Sequence, residues 1–121
     1  MLDILLVTAR RDGIDAFIEG LSSDPEVRLH LASEGAEVPG LVRTLCPRLV
    51  IVDSTPEEVG SFELVRQIIG VNAMVNTAVT SPLSEEEFHD RGEGLGILGR
   101  LPMEPGGSDA KALLQKLRDL L

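Results

Sequence analysis

Two patterns of apolar residues alternate along this chain. One is a short continuous run of apolar residues, and the other is a longer stretch in which apolar residues recur every three or four positions. A strand buried on both faces of a sheet reads as a continuous apolar run, whereas a helix packed on one face repeats apolar residues at i, i+3, i+4 and i+7. The runs lie at residues 2–7, 27–32, 49–53, 73–80 and 95–101, and the helical stretches at 12–21, 38–45, 61–70, 84–91 and 108–121. This alternation predicts an α/β fold, a doubly wound five-stranded parallel sheet with helices on both faces.

A single carboxylate ends the third and most apolar run. Residues 49–52 are all aliphatic, and Asp53 follows them directly, before a Ser-Thr-Pro sequence typical of a turn. Open α/β sheets place their chemistry at the carboxyl ends of the strands. Asp53 is therefore the candidate functional residue, and the alternative is that it only caps the turn.

The second run differs from the others because apolar and polar residues alternate. Val27, Leu29 and Leu31 are separated by Arg28 and His30, the period-two pattern of a strand with one wet face. The pattern predicts an edge strand whose histidine points to solvent.

Signals for helix ends lie in the second half of the chain. Ser84 with Glu87 fits a capping box, and Ser108 with Asp109 is predicted to cap the last helix. The buried side of that helix is predicted to carry its five leucines, Leu113, Leu114, Leu117, Leu120 and Leu121.

Composition excludes several classes of function. The 121 residues carry 20 acidic and 11 scattered basic side chains, a net charge of −9, which argues against nucleic acid as a partner. The single cysteine, Cys46, excludes a disulfide or a multi-thiolate site and is predicted to be a small buried residue. The isolated His30 and His89 do not make a metal site. No apolar run reaches the roughly 18 residues of a membrane span and no leader pattern begins the chain, so residues 1–121 are interpreted as one cytoplasmic domain.

The last three predicted strands end in a distinctive order of residues. Asp53 ends the third strand, Thr80 ends the fourth, and Leu101 with Pro102 closes the fifth. Over the whole chain this order resembles the receiver domain of bacterial two-component response regulators. The resemblance implies the flavodoxin-like sheet order 2-1-3-4-5. It also implies that Asp53 is the phosphoacceptor equivalent and that Thr80, or alternatively Thr77, is the hydroxyl that contacts the phosphoryl group.

Other positions of that family pattern are replaced in this chain. Receiver domains carry two acidic residues directly after strand one that hold Mg²⁺, and Thr8 and Ala9 stand there. Their lysine before the strand-five proline is Leu101 here, and their switch aromatic is Leu98. Asp53 would then be the only protein carboxylate in a Mg²⁺ shell. We therefore expect no metal site, no cofactor, and weak or absent Mg²⁺ binding.

Two arginines directly follow the replaced acidic pair. Arg10 or Arg11 could bring a guanidinium to Asp53 or to an incoming anion. The alternative is that both side chains are solvated on the first turn of the first helix.

The leading functional interpretation is a degenerate receiver that is not an enzyme and acts by protein contact. A kinase, a scaffold or an effector could be the partner, or a homodimer could form through the last helix near Leu117 or Leu120. One alternative keeps the phosphorelay, with Asp53 phosphorylated and Arg10 or Arg11 in place of the metal. A weaker alternative, a small α/β enzyme using Asp53 and the Thr80 hydroxyl, lacks a nearby histidine base and a second carboxylate.

Overall fold

The computed structural model of the chain describes residues 2–10, 12–53 and 61–121. The elements are β1 (Leu2–Val7), α1 (Asp15–Ser22), β2 (Val27–Ala32), α2 (Val38–Leu45), β3 (Leu49–Asp53), α3 (Ser61–Val71), β4 (Asn76–Thr80), α4 (Glu85–Arg91), β5 (Gly99–Leu101) and α5 (Gly107–Leu120), with a 3₁₀ turn at Gly35–Glu37 before α2. All strand pairs are parallel, and the order across the sheet is β2-β1-β3-β4-β5. The predicted doubly wound sheet of order 2-1-3-4-5 is confirmed.

Two apolar clusters cover opposite faces of the sheet. Successive side chains of a strand point to opposite faces, and in β1 Ile4 belongs to one cluster while Leu5 belongs to the other. The first cluster is completed by α1 and α5, and the second by α2, α3 and α4. The absence of Trp and Tyr leaves cores that are almost wholly aliphatic, with Phe17 fully buried in the first.

Two strands are shorter than the sequence predicts. Residues 73–75 belong to a turn in which the Val75 amide donates to the Asn72 carbonyl oxygen at 3.3 Å, so β4 begins only at Asn76. Before β5, Gly94 and Gly96 adopt φ of 85° and 64°, conformations that a strand does not contain. The apolar run at 95–101 therefore includes a loop.

The Ser84 cap of α4 is confirmed, but Glu87 does not complete a capping box, because its Oε1 accepts from the Ser84 hydroxyl at 3.1 Å and not from the Ser84 amide. The Ser84 hydroxyl accepts a hydrogen bond from the Glu87 amide at 3.2 Å. The cap predicted for α5 is wrong in part. The last helix instead begins at Gly107, and the Asp109 carboxylate accepts from the Gly106 amide at 2.8 Å. Ser108 lies inside the first turn, so it does not cap the helix.

The edge position of β2 is confirmed, but the predicted environments of the His30 and Cys46 side chains are wrong. His30 does not simply point to solvent, because its Nε2 lies 3.1 Å from Asp3 Oδ1. Cys46 is exposed rather than buried. It follows the last residue of α2 with φ 48°, the left-handed backbone conformation that commonly ends a helix, so it lies outside the buried stripe of α2.

The leucines of α5 divide into two groups. Leu113, Leu114 and Leu117 lie in the first cluster, whereas Leu120 and Leu121 are 59% and 61% exposed. The prediction that all five lie on the buried side is wrong for the last two. Leu117 is fully buried, so it cannot lie at the centre of a contact surface.

Close packing of α1 on α5 gives a stability prediction at Gly20. A Cβ there would lie 2.9 Å from the Ala110 Cβ and 3.0 Å from the Gly107 Cα. We expect Gly20→Ala to destabilise the fold by about 1–3 kcal/mol, because the helices would have to separate. Gly40→Ala in α2, where no atom lies within 4 Å, should instead stabilise it by about 0.5–1 kcal/mol. Urea denaturation measures the free energy of unfolding of both variants, and equal changes would contradict the close contact of Gly20 with α5.

None of the helices in the described parts of the chain is long and apolar enough to cross a lipid bilayer.

Candidate functional site

Polar residues from three neighbouring strands meet at the carboxyl edge of the sheet. Asp53 and Thr80 end β3 and β4 and lie opposite each other in the strand register. Val7 ends β1 beside Val52, which places Thr8 next to Asp53. The parallel register, together with equal strand ends, creates this cluster from residues far apart in sequence.

The Asp53 carboxylate is fully enclosed by hydrogen-bond donors. Its side chain has no exposed surface. Oδ1 accepts from Thr80 Oγ1 at 2.8 Å and from Arg10 Nη2 at 2.6 Å. Oδ2 accepts from Thr8 Oγ1 at 2.7 Å and from Arg10 Nε at 2.8 Å. Each carboxylate oxygen therefore has two donors, which occupies its lone pairs.

Arg10 binds Asp53 through two parallel hydrogen bonds, the geometry that suits a guanidinium and a carboxylate. The loop after β1 holds the arginine in place, since the Arg10 amide donates to Thr8 Oγ1 at 3.1 Å. The hydrogen bond to Asp53 raises the pKa of Arg10 above its usual value, burial opposes that rise, and the charges of Asp53 and Glu104 add to it. Arg10 therefore stays charged and neutralises the buried carboxylate.

The structure brings together four of the residues that the sequence singled out, Asp53, Thr80, Arg10 and Thr8. Ala9 is exposed, and Leu101 is buried at the end of β5, opposite Thr80. Thr77 lies opposite Val50, three residues before the end of β4. Arg11 and the Ser-Thr-Pro sequence after Asp53 lie outside the described residues.

Sequence reasoning missed the role of Thr8. From the sequence, Thr8 was noted only as the residue that replaces a family acidic residue. Its hydroxyl donates to Asp53 and accepts from the Arg10 amide. The available signal was a hydroxyl residue directly after β1, at the sheet edge where Asp53 was already expected.

The residues present do not fit a Mg²⁺ ion. Mg²⁺ needs an octahedral shell of oxygen ligands, and at this site a guanidinium already binds both oxygens of the carboxylate. Within the described ranges, no group of three or more His, Cys, Asp or Glu side chains is placed to hold a metal.

A second feature is an open cavity at the far edge of the sheet, beside β5. It has a volume of about 420 Å³ and lies between α4, the loop before β5, and α5. Phe88 and Ile97 supply apolar lining, and Arg100 and Lys116 supply positive charge. Arg100 is paired with Glu85 at 3.1 Å. Leu98, which the resemblance places at the switch-aromatic position, lies on the wall.

The sequence matches no protein-family model and no curated protein, but the structure resembles solved ones over nearly its whole length. One is the response regulator domain of Thermotoga maritima CheB, with a TM-score of 0.77, 19% identity, and coverage of 98% of this chain and 95% of that one. The chain has the receiver fold. The chemotaxis response regulator CheY4 of Vibrio cholerae has a TM-score of 0.79 at 17% identity, covering 97% and 98%. A two-component response regulator from Legionella pneumophila has a TM-score of 0.75 at 15% identity, covering 98% and 99%. At these identities the likeness establishes the receiver fold and leaves function to the site.

Proposed function

We propose that the chain is a receiver-like domain of signal transduction that works without phosphorylation and acts by contact with another protein. One observation carries the proposal: the bidentate ion pair between Arg10 and Asp53. The response-regulator descriptions of CheB, CheY4 and the Legionella protein support the signalling part.

Arg10 makes Asp53 a poor acceptor for a phosphoryl group. An attacking carboxylate oxygen needs a free lone pair, and both oxygens already accept two hydrogen bonds each. An aspartyl phosphate would also add close to two negative charges to a chain at −9. Among the described residues that contact Asp53, Arg10 is the one cation that could compensate them, and only after releasing Asp53. We therefore propose that Asp53 has a structural role and that no Mg²⁺ or other cofactor is required.

The same site offers little for catalysis. His30, in the edge strand β2, bonds to Asp3 of β1, and His89 is exposed on α4. Neither imidazole can act as a base at Asp53, and the described residues around it include no second carboxylate within hydrogen-bond distance. We therefore propose that the domain is not an enzyme.

A protein partner, such as a kinase, a scaffold or an effector, would contact the face made by α4, β5 and α5. The cavity beside β5 offers apolar lining and the Lys116 ammonium group. The C-terminal end of α5, where Arg118 pairs with Asp24, carries the exposed Leu120 and Leu121. Self-association through this end of α5 is the competing proposal.

The phosphorelay remains the second candidate because one contact favours it. Thr80 lies 2.8 Å from Asp53 Oδ1, where a hydroxyl would contact a phosphoryl group on that oxygen. In this candidate Arg10 swings from Asp53 to the phosphoryl oxygens in place of a metal.

Amide NMR spectra with Mg²⁺ and beryllofluoride test the proposed function. We expect no shift at Asp53, Thr80 or Leu101 in the wild type, even at roughly 10 mM Mg²⁺, because Arg10 occupies the carboxylate. A reference variant combining Thr8→Asp with Arg10→Ala restores an acid and removes the guanidinium, so it should respond to both ligands. Wild-type shifts clustered at those residues and abolished by Asp53→Asn would establish the phosphorelay instead. If the reference variant does not fold, the comparison of wild type with Asp53→Asn decides alone.

A further inference from the structure

The outer edge of β2 presents main-chain groups that point away from the sheet. β2 pairs with β1 along its whole length. The amides of Leu2 and Thr8 donate to the carbonyl oxygens of Glu26 and Ala32, so even-numbered residues of β2 direct their main-chain groups toward β1. Because these groups alternate along a strand, the N–H and C=O groups of Leu29 and Leu31 point outward. Within the parts of the chain that are described, no hydrogen bond reaches them.

The side chains at this edge are apolar on one face. Val27 and Leu29 pack against the first cluster and are partly buried. Leu31 lies on the same face two residues further and is 60% exposed. An exposed leucine beside unpaired main-chain groups is the combination that recruits another strand.

We propose that this edge binds the same edge of a second copy of the chain, in antiparallel direction. With the two-fold axis beside His30, Leu29 of each copy faces Leu31 of the other. Each Leu29–Leu31 pair then exchanges two main-chain hydrogen bonds. The leucine side chains of the pair contact each other across the strands and cover Leu31. Two five-stranded sheets become one continuous sheet.

A second copy fits this edge because the edge is self-complementary. An antiparallel pair of identical strands satisfies the symmetry of a closed dimer. Between Glu26 and Glu34, β2 carries Arg28 as its only residue with a permanent charge. The proposed register places Arg28 opposite Ala32 of the other copy, two positions from its exposed Glu34. This complementary charge contact occurs twice by symmetry.

The histidines do not oppose the pairing. The two His30 side chains face each other at the axis, on the side away from the leucines. Each is held by its own Asp3 carboxylate at 3.1 Å, and that carboxylate also lies 3.8 Å from Arg28 of the same copy.

The interface is short, so the dimer is expected to be weak and concentration-dependent. Two copies of net charge −9 repel each other. Salt screens that repulsion, and dimerisation should therefore strengthen as the ionic strength rises. β2 and β5 are the opposite edges of the sheet, which leaves the face of α4, β5 and α5 free for a partner.

Sedimentation equilibrium from about 10 μM to about 1 mM tests the proposal across the range of weak affinities. Leu31→Pro loses no bond to β1, because the Leu31 N–H points outward. It removes two hydrogen bonds from the dimer, which should weaken association about tenfold or more. Leu31→Thr keeps the N–H and the strand preference and should weaken it less. Leu120→Glu, which lies in α5 and outside the proposed strand pairing, should leave association unchanged.

Amide hydrogen exchange of the wild type gives an independent readout that needs no variant. The Leu29 and Leu31 amides should be protected at high concentration and should lose protection on dilution. A wild type that is monomeric over the whole range, with both amides exchanging like those of exposed loops, would overturn the proposal. So would a dimer that Leu120→Glu dissociates and a folded Leu31→Pro variant leaves intact, because that result would move the interface to α5.

Discussion

Replacing Arg10 by alanine should destabilise the fold by about 3–5 kcal/mol, since a buried charge that loses its partner is strongly unfavourable. Asp53 has no exposed surface, and of its donors in the described parts of the chain it would keep the Thr8 and Thr80 hydroxyls. Urea denaturation at neutral pH measures the loss. The reverse change, Asp53→Asn, should cost less, because the Arg10 side chain is 22% exposed and can turn its charge to water.

Two controls separate the buried pair from an ordinary surface contact. Arg66→Ala removes an arginine whose pair with Glu63 is exposed, at 3.4 Å, and should change stability by no more than about 0.5 kcal/mol. Adding Asp53→Asn to Arg10→Ala should recover much of the loss, because no charge is then left buried. A loss below about 1 kcal/mol for Arg10→Ala would contradict the pairing, since that is the range of exposed ion pairs.

The second large effect is expected at Leu117 in α5. Leu117→Ala should destabilise the fold by about 2–5 kcal/mol, because it removes a fully buried side chain from the first cluster. Leu120→Ala, three residues further, is the matched control: its side chain is 59% exposed, so the change should stay within about 0.5 kcal/mol. Similar losses for the two variants would mean that Leu120 is covered and that the face assignment of α5 is wrong.

The α5 leucines show what periodicity can and cannot predict. Their spacing predicted the helix and most of its buried side, because a helix on a sheet needs one apolar stripe. It did not predict that Leu120 and Leu121 would extend beyond the sheet, because the apolar pattern continues to the end of the sequence while the packing surface ends earlier. The strand predicted at 95–101 is also too long. Gly96, within the apolar run, has φ 64° and lies in a loop, and the apolar residues around it do not indicate that loop.

The candidate site was predictable in its position and not in its contacts. Asp53 and Thr80 could be assigned from the ends of apolar runs, because parallel strands bring their carboxyl ends to one edge. The choice of Arg10 as the partner of Asp53 depends on how the loop after β1 turns. That turn rests on the bond between the Arg10 amide and Thr8, a contact without a sequence pattern. Two adjacent arginines therefore remained equivalent until the loop geometry was known.

The NMR signal of the Arg10 Nε–H group reports directly on the ion pair between Arg10 and Asp53, since this proton lies in the bond to Asp53 Oδ2. We expect a downfield-shifted signal that exchanges slowly with water and is lost or displaced in Asp53→Asn. The Nε–H of Arg66, whose side chain is 55% exposed, provides the reference for a solvated arginine in the same spectrum. An Arg10 signal that exchanges as fast as that of Arg66, and does not respond to Asp53→Asn, would show that Arg10 does not bind Asp53 in solution.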